Sequence, residues 1–113
     1  MSKRFNVVFL NDKAEKEFNK FDGFVASLLD KAIIHLEERA DEIGKELTGN
    51  LRGCKEIKLK QAGVRMIYRL PKGYEYLGEG IKLEIVDVQI IATGKRASNT
   101  VFKTAESRLR DRS

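Results

Sequence analysis

Cysteine, histidine, proline and tryptophan are scarce in this sequence of 113 residues, which contains one Cys, one His, one Pro and no Trp. The single Cys54 excludes an intramolecular disulfide, and one Cys with one His cannot supply the four ligands of a structural zinc site. A reducing cytoplasm fits this composition. We therefore expect a cytoplasmic protein that needs no metal ion and no other cofactor.

Long hydrophobic runs are absent as well. No uninterrupted apolar segment approaches the ~20 residues that a membrane-spanning helix needs. The basic start of the chain leads into an apolar run of only six residues, 5–10, before polar Asn11. We expect neither a signal peptide nor a membrane span, and no membrane among the partners of the protein.

The residues that are present suffice for one compact domain. Hydrophobic residues make up 42% of the chain and charged residues 35%, so a core and a strongly solvated surface are both available. We predict a single domain, residues 1–113. Residues 1–46 carry 8 Lys or Arg against 10 Asp or Glu, whereas residues 47–113 carry 14 against 7. The basic second half, in a chain of net charge +5, favours a polyanionic or acidic partner.

Hydrophobic spacing predicts the order of helices and strands. Short β-branched or alternating runs predict strands at residues 5–10, 56–60, 64–70 and 82–93. Apolar residues at helical spacing predict helices between Asn11 and Gly23, over residues 24–43, and over residues 98–109. The order β-α-α-β-β-β-α predicts an α+β domain, with a small, antiparallel-rich, twisted sheet, two N-terminal helices packed on one face, and a C-terminal helix.

The two strands at residues 56–60 and 64–70 predict a β-hairpin that turns at residues 61–63. If the apolar residues of both strands share the buried face, Leu59 lies opposite Val64 and Lys58 lies opposite Arg65. Like charges directly across a strand pair repel each other, so an anion near Lys58 and Arg65 would relieve the pair.

Further cations belong to the same half of the chain. Lys60 and Arg69 have the same parity as Lys58 and Arg65, and Lys95 and Arg96 follow the last strand. This pattern indicates a phosphate-binding concavity. The alternative is a solvated sheet face whose long side chains point into water.

Several short motifs resemble those of one protein family. They are Leu51-Arg52-Gly53, Ile57-Lys58-Leu59, Gly63, the run from Arg65 to Arg69, the run from Ala92 to Arg96, and Val101-Phe102. Their spacing resembles the RelE/ParE superfamily of type II toxin–antitoxin toxins, and RelE more closely than ParE. The resemblance covers most of the chain and includes the β-α-α-β-β-β-α order.

The resemblance implies a toxin that enters the ribosomal A site and cuts mRNA without a metal ion. In RelE-like proteins a basic concave surface orients the RNA so that a ribose 2′-OH attacks the adjacent phosphate and leaves a 2′,3′-cyclic phosphate. A cognate antitoxin would hold the toxin silent, by covering the basic site or displacing the C-terminal helix. The implied partners are therefore that antitoxin, the ribosome and mRNA.

Carried over by position, the resemblance also implies site residues. Lys58, Arg65 and Arg96 fall on catalytic or phosphate-stabilising positions, and Lys60 falls on a supporting one. We expect RNA contacts from Lys55, Lys60, Arg69, Lys95 and Phe102.

Two positions depart from the family pattern. Phe102 replaces a Tyr, so it can stack on a base but cannot exchange a proton. Glu56 replaces the first basic residue of the hairpin, and our hypothesis is that it acts as the general base.

Two other functions remain open at this point. One is a ParE-like toxin that inhibits DNA gyrase, which needs no RNA chemistry and leaves Lys58 and Arg65 as surface residues. The other is a catalytically impaired relative that binds only the antitoxin, which Phe102 and Glu56 favour. Retention of Lys58, Arg65 and Arg96 together favours the endoribonuclease.

Overall fold

The computed structural model describes residues 4–70, 86–95 and 99–112, which form five strands and three helices. The strands are β1 (Phe5–Phe9), β2 (Lys45–Glu46), β3 (Cys54–Leu59), β4 (Val64–Arg69) and β5 (Val86–Lys95). The helices are α1 (Asp12–Asn19), α2 (Gly23–Arg39) and α3 (Thr100–Arg112), and a 3-10 turn occupies Gly49–Leu51. Among these described residues, no helix combines the length and the apolar character that crossing a membrane requires.

The strands form one mixed sheet in the order β1-β5-β4-β3-β2. β1 is parallel to β5, whereas β5, β4, β3 and β2 pair antiparallel along the rest of the sheet. β5 therefore lies between two neighbours, and Val88, Ile90 and Ala92 are fully buried. The predicted central strand is confirmed from residue 86 onward, and residues 82–85 lie outside the described part. The predicted α+β class and the predominantly antiparallel sheet are confirmed.

The sheet separates two apolar clusters. On one face, α2 packs Leu29, Ala32 and Leu36 against a layer of strand side chains formed by Val64, Met66, Tyr68, Val88 and Ile90. On the other face, α3 packs Val101 and Ala105 against Cys54, Ile67, Ile91 and Ala92. α1 lies at the β1–β5 side and contributes Phe18 to the first cluster and Ala14 to the second. The C-terminal helix thus covers the face that carries Lys58 and Arg65.

A β-bulge allows β5 to serve both clusters. Ile67 pairs with Ala92 while the next residue of β4, Tyr68, pairs with Ile90, so Ile91 is the extra residue. A bulge changes the face to which successive side chains point. Consecutive Ile91 and Ala92 consequently both belong to the cluster beneath α3.

α2 ends at Arg39, four residues before the end that hydrophobic spacing predicts. The hydroxyl of Tyr68 lies 2.9 Å from the carbonyl oxygen of Ala40 and 2.8 Å from that of Ile43, and the two oxygens share its single O–H proton. Burial raises the pKa of Tyr68, and the nearby charge of Asp41 raises it further. The chain turns at Gly44, whose φ of +81° is accessible to glycine at little cost. A Cβ there would lie 2.6 Å from the Tyr68 hydroxyl.

Glu17 and Arg108 join α1, α3 and the free edge of β5. Pairing between β1 and β5 ends at Phe9 and Ile90, and within the described part of the chain β5 continues without a strand on that side. A carboxylate oxygen of Glu17 accepts hydrogen bonds from the backbone N–H of Thr93 and from Arg108, both at 2.8 Å. Arg108 also donates to the carbonyl oxygen of Ile91 at 2.8 Å. These side chains replace strand pairing and protect the edge.

We predict that Tyr68→Phe lowers the free energy of unfolding by about 1–3 kcal/mol, because two carbonyl oxygens at the end of α2 lose their donor. Urea denaturation followed by circular dichroism measures the change. Gly44→Ala serves as a companion variant, and its destabilisation should be smaller in the Tyr68→Phe background, where the hydroxyl is gone. Equal stability of Tyr68→Phe and the wild type would contradict the assigned role.

We predict a coupling energy of about 1–3 kcal/mol between Glu17 and Arg108 in a double-mutant cycle of alanine substitutions, because both side chains are largely buried. The measurement is again chemical denaturation. Arg39 and Glu42 form a matched control, because their ion pair on the surface is 3.9 Å long and more than half exposed. Its coupling should stay below about 0.5 kcal/mol. Similar coupling in the two pairs would show that Glu17 does not fasten α3.

Candidate functional site

The hairpin of β3 and β4 brings Lys58 and Arg65 together. The observed register pairs Leu59 with Val64 and Lys58 with Arg65, which confirms the pairing predicted from parity. The turn between them spans residues 60–63, and Ala62 and Gly63 donate backbone hydrogen bonds to Leu59 and Lys60. Two cationic side chains therefore start from directly opposed positions on the face that α3 covers.

Glu56 supplies a negative charge to this pair from within the chain. Its carboxylate lies 2.8 Å from Nε of Arg65 and 3.8 Å from Nζ of Lys58. The side chains of Glu56, Arg65 and Lys58 are 4%, 12% and 33% exposed, so the charges run from the interior towards the solvent. An internal carboxylate thus relieves part of the like-charge repulsion, and the three residues form what we call the charged cluster.

Arg65 retains unused hydrogen-bonding capacity within this cluster. Its Nε lies close to the Glu56 carboxylate, but the N–H is not directed along a hydrogen bond to it. Nη1 is also buried and has no acceptor among the described residues. A guanidinium with buried, unsatisfied donors has a strong tendency to bind an acceptor. Two oxygens of one phosphate have the spacing to accept hydrogen bonds from two of its N–H groups.

Phe102 covers the guanidinium from α3. Its ring centroid lies 4.4 Å from the central carbon of Arg65, which is a cation–π contact. Gly94 lies opposite Arg65 in β5, and a Cβ there would be 3.3 Å from Cβ of Val101. The absence of a side chain at this position lets the first turn of α3 approach the sheet. The predicted site residue Phe102 therefore joins Lys58, Arg65 and Glu56.

The other predicted RNA-contacting residues are distributed away from the charged cluster. Lys60 is exposed in the hairpin turn. Lys55 has the opposite parity, and its ammonium group donates to the carbonyl oxygen of Asp41 at 3.1 Å. Arg69 lies roughly 13 Å from Arg65 along β4, counting four residues of strand rise, and donates to the side chain of Gln89 at 2.8 Å. Lys95 pairs with Val64, so it lies on the sheet face that α2 covers.

Arg96, the third predicted catalytic residue, lies outside the described residues. The described part also contains no group of three His, Cys, Asp or Glu side chains that could hold a metal ion. The charged cluster combines two cations, a carboxylate and an aromatic ring, a set suited to binding an anion.

Sequence reasoning missed the internal pairing of Glu56 with both cations. The signal was present, because Glu56 and Lys58 share a parity on β3 and Arg65 lies diagonally across from Glu56. Attention to diagonal neighbours on one face of the hairpin would have found the ion pair.

Solved toxin structures share this fold along nearly the whole chain. A mutant of the E. coli toxin RelE in the free state, with two arginines replaced, is 26% identical over 96% of this chain and 99% of that chain, with a TM-score of 0.69. The isolated E. coli RelE toxin is 27% identical over 96% and 99% of the two chains, with a TM-score of 0.58.

A RelBE toxin–antitoxin complex from Mycobacterium tuberculosis shares the fold at 20% identity, over 82% of this chain and 99% of that chain, with a TM-score of 0.60. No family model matches the sequence, and no curated protein matches it. The similarity to E. coli RelE extends over nearly the whole length of both chains. The chain belongs to the superfamily of RelE-like toxins.

Proposed function

We propose that this protein is a ribosome-dependent mRNA endoribonuclease of a type II toxin–antitoxin system, acting in the cytoplasm without a metal ion. The observation that carries the proposal is Arg65, whose buried guanidinium keeps unsatisfied donors beside Lys58. Two neighbouring cations that are partly shielded from solvent suit the binding of a phosphate of the RNA backbone. A gyrase inhibitor has no need of this arrangement.

In the proposed reaction the ribose 2′-OH attacks the adjacent phosphate. The bond between O2′ and phosphorus forms, the bond between phosphorus and O5′ breaks, and a 2′,3′-cyclic phosphate results. Lys58 and Arg65 would hold the phosphate and stabilise the negative charge that develops on its oxygens. Preorganised cations in a desolvated site contribute several kcal/mol to such a step. Arg96 is proposed as a further cation of this clamp.

Glu56 is our candidate for the base that takes the proton of the 2′-OH. Its carboxylate contacts the two cations that would bind the phosphate, so a phosphate held by Arg65 and Lys58 would lie within a few ångströms of it. An incoming phosphate would compete with Glu56 for those cations and free its oxygens. A base must come within about 3 Å of the hydroxyl that it deprotonates. Once the phosphate has displaced Glu56 from the cations, its carboxylate is free to approach the 2′-OH.

Phe102 has a supporting role in this proposal. One face of its ring contacts the Arg65 guanidinium and limits its movement. The ring can also stack on a base of the RNA, but it cannot protonate the leaving O5′. The proton for O5′ must therefore come from a group other than Phe102. Lys55, Lys60, Arg69 and Lys95 would act, at most, as more distant contacts to the RNA backbone.

A cognate antitoxin is the proposed protein partner. RelE-type toxins are found in complex with RelB-type antitoxins in the M. tuberculosis structure described above. The charge distribution of the present chain supports an acidic partner, because its second half carries 14 Lys or Arg against 7 Asp or Glu. Electrostatic complementarity would accelerate association of the toxin with such a partner.

We predict that Arg65→Ala lowers mRNA cleavage on programmed ribosomes by about 100-fold or more, because the transition state loses a preorganised donor. Arg65→Lys should be intermediate, since it keeps the charge and loses the guanidinium fork. Cleavage of a defined mRNA, with and without ribosomes, measures the effect, and Arg96→Ala is assayed in parallel.

Arg39→Ala is the matched control for this assay, because it removes an exposed guanidinium from α2 and should leave cleavage unchanged. Thermal melting of each variant verifies that it is folded. Full activity of Arg65→Ala would overturn the phosphate clamp. A wild-type protein that cleaves RNA in neither setting would overturn the endoribonuclease and favour gyrase inhibition or antitoxin binding alone.

We predict that Glu56→Gln reduces single-turnover cleavage by about 100-fold or more while ribosome binding is retained, because the amide cannot accept the proton. Glu46→Gln, which alters an exposed carboxylate on β2, is the matched control. If Glu56→Gln cleaves normally and Glu56→Ala does not, Glu56 positions Arg65 and the proton has another acceptor.

A further inference from the structure

The ion pair inside the charged cluster joins two charges but leaves their hydrogen bonds unmade. Oε2 of Glu56 lies 2.8 Å from Nε of Arg65. Both atoms are nevertheless buried without a hydrogen-bond partner in the described part of the chain, and the same holds for Nη1 of Arg65. Glu56 therefore compensates the charge of the guanidinium while it leaves the donors of the guanidinium available.

This arrangement separates the attraction that acts at a distance from the binding that is available on contact. At a distance, an approaching anion responds to the summed charge of the cluster, in which the Glu56 carboxylate cancels one of the two cations. On contact, phosphate oxygens can still accept hydrogen bonds from Arg65. Burial beneath Phe102 keeps solvent ions away from the pair, so salt screens the compensation only weakly.

Burial also makes the displacement of Glu56 costly. The carboxylate is 4% exposed, so it cannot turn into the solvent when an anion arrives. Lys58 is 33% exposed and its Nζ lies 3.8 Å from the carboxylate, so a phosphate that diffuses in meets Lys58 first. It must then compete with Glu56 for Arg65. A phosphate that other contacts already hold in place has a high effective concentration at the cluster, which favours its side of this competition.

We infer that Glu56 is a specificity-determining residue, because its carboxylate occupies the cations of the charged cluster and excludes RNA that no other contact holds in place. The inference rests on the proposed function for the identity of the anion, an RNA phosphate. An mRNA on the ribosome overcomes the carboxylate through the additional contacts of the larger assembly, whereas free RNA does not. This role concerns binding, before any proton is transferred, so it is separate from the role of Glu56 as a base.

The test measures the binding of free RNA to the full-length protein in the absence of ribosomes. The probe is a fluorescein-labelled single-stranded heptanucleotide with 2′-O-methyl groups, which cannot be cleaved through a 2′-OH. By fluorescence anisotropy, Glu56→Gln should bind it at least tenfold more tightly than the wild type. Glu46→Gln removes an exposed carboxylate from β2 and should change the affinity less than twofold. Unchanged affinity of Glu56→Gln, or an equal gain in both variants, would overturn the inference.

The salt dependence of binding gives a second readout, which a purely structural role of Glu56 would not change. Each additional phosphate contact to a single strand steepens the dependence of log Kd on log salt concentration by about 0.7. Glu56→Gln should show a steeper slope than the wild type by about this amount, because Arg65 becomes available to a phosphate. Equal slopes would contradict the inference.

The gain in affinity must also depend on Arg65. In the Arg65→Ala background, Glu56→Gln should improve binding by about threefold or less, because only Lys58 remains beside the carboxylate. A full gain in that background would show that net charge alone is responsible and would overturn the inference.

Two further substitutions of Glu56 guard against a loss of folding, which thermal melting detects. Glu56→Ala should reproduce the gain of Glu56→Gln, so one folded variant of the two is sufficient. Glu56→Asp keeps the charge and should bind within threefold of the wild type. Failure of both neutral variants to fold would assign Glu56 to stability and overturn the inference. Every arm measures binding of an uncleavable probe, so its failure is distinguishable from a failure to cleave mRNA.

Discussion

The ion pair between Glu56 and Arg65 determines the arrangement of the face beneath α3. A buried charge without a partner is costly, and removing one member of such a pair typically destabilises a protein by about 3–5 kcal/mol. Here the carboxylate is 4% exposed and lies 2.8 Å from the guanidinium. Neither group can move far into the solvent without leaving the other uncompensated. The pair thus holds Arg65 in place, while Lys58, farther from the carboxylate, keeps greater freedom.

The helix above this pair is held at both of its ends. Near its start, Phe102 contacts the guanidinium, and Gly94 leaves room for Val101 to approach the sheet. Near its end, Arg108 binds Glu17 and the free edge of β5. Because Phe102 belongs to α3, any displacement of that helix also removes the ring that covers Arg65. The position of α3 and the exposure of the phosphate clamp are consequently linked.

Much of the fold was predictable from the sequence because it follows from local patterns. Alternation in β3 and β4 gave a hairpin register in which Lys58 faces Arg65, and the structure confirms it. The end of α2 was not predictable in this way, because Tyr68, 28 residues after Ala40, takes the carbonyl oxygens of the turn. The two-residue strand β2 likewise forms only because β3 offers an edge.

The two cations of the candidate site were predictable from the sequence. The burial of the carboxylate that lies beside them was less so. Charge and parity identify Lys58 and Arg65, since both are properties of one strand pair. The diagonal of the hairpin indicates Glu56 as a neighbour of Arg65, but its burial to 4% exposure is not indicated by parity. Phe102 could be placed near the site only through the family resemblance, and its stacking on Arg65 required the packing of α3 on the sheet.

The alternation of β3 gives one strand two surfaces of different character. Glu56 and Lys58 belong to the charged cluster, whereas Ile57 and Leu59 pack against the apolar cluster beneath α2. The two sets alternate along the strand, so a shift of register by one residue would exchange them. Substitution in β3 therefore perturbs both surfaces.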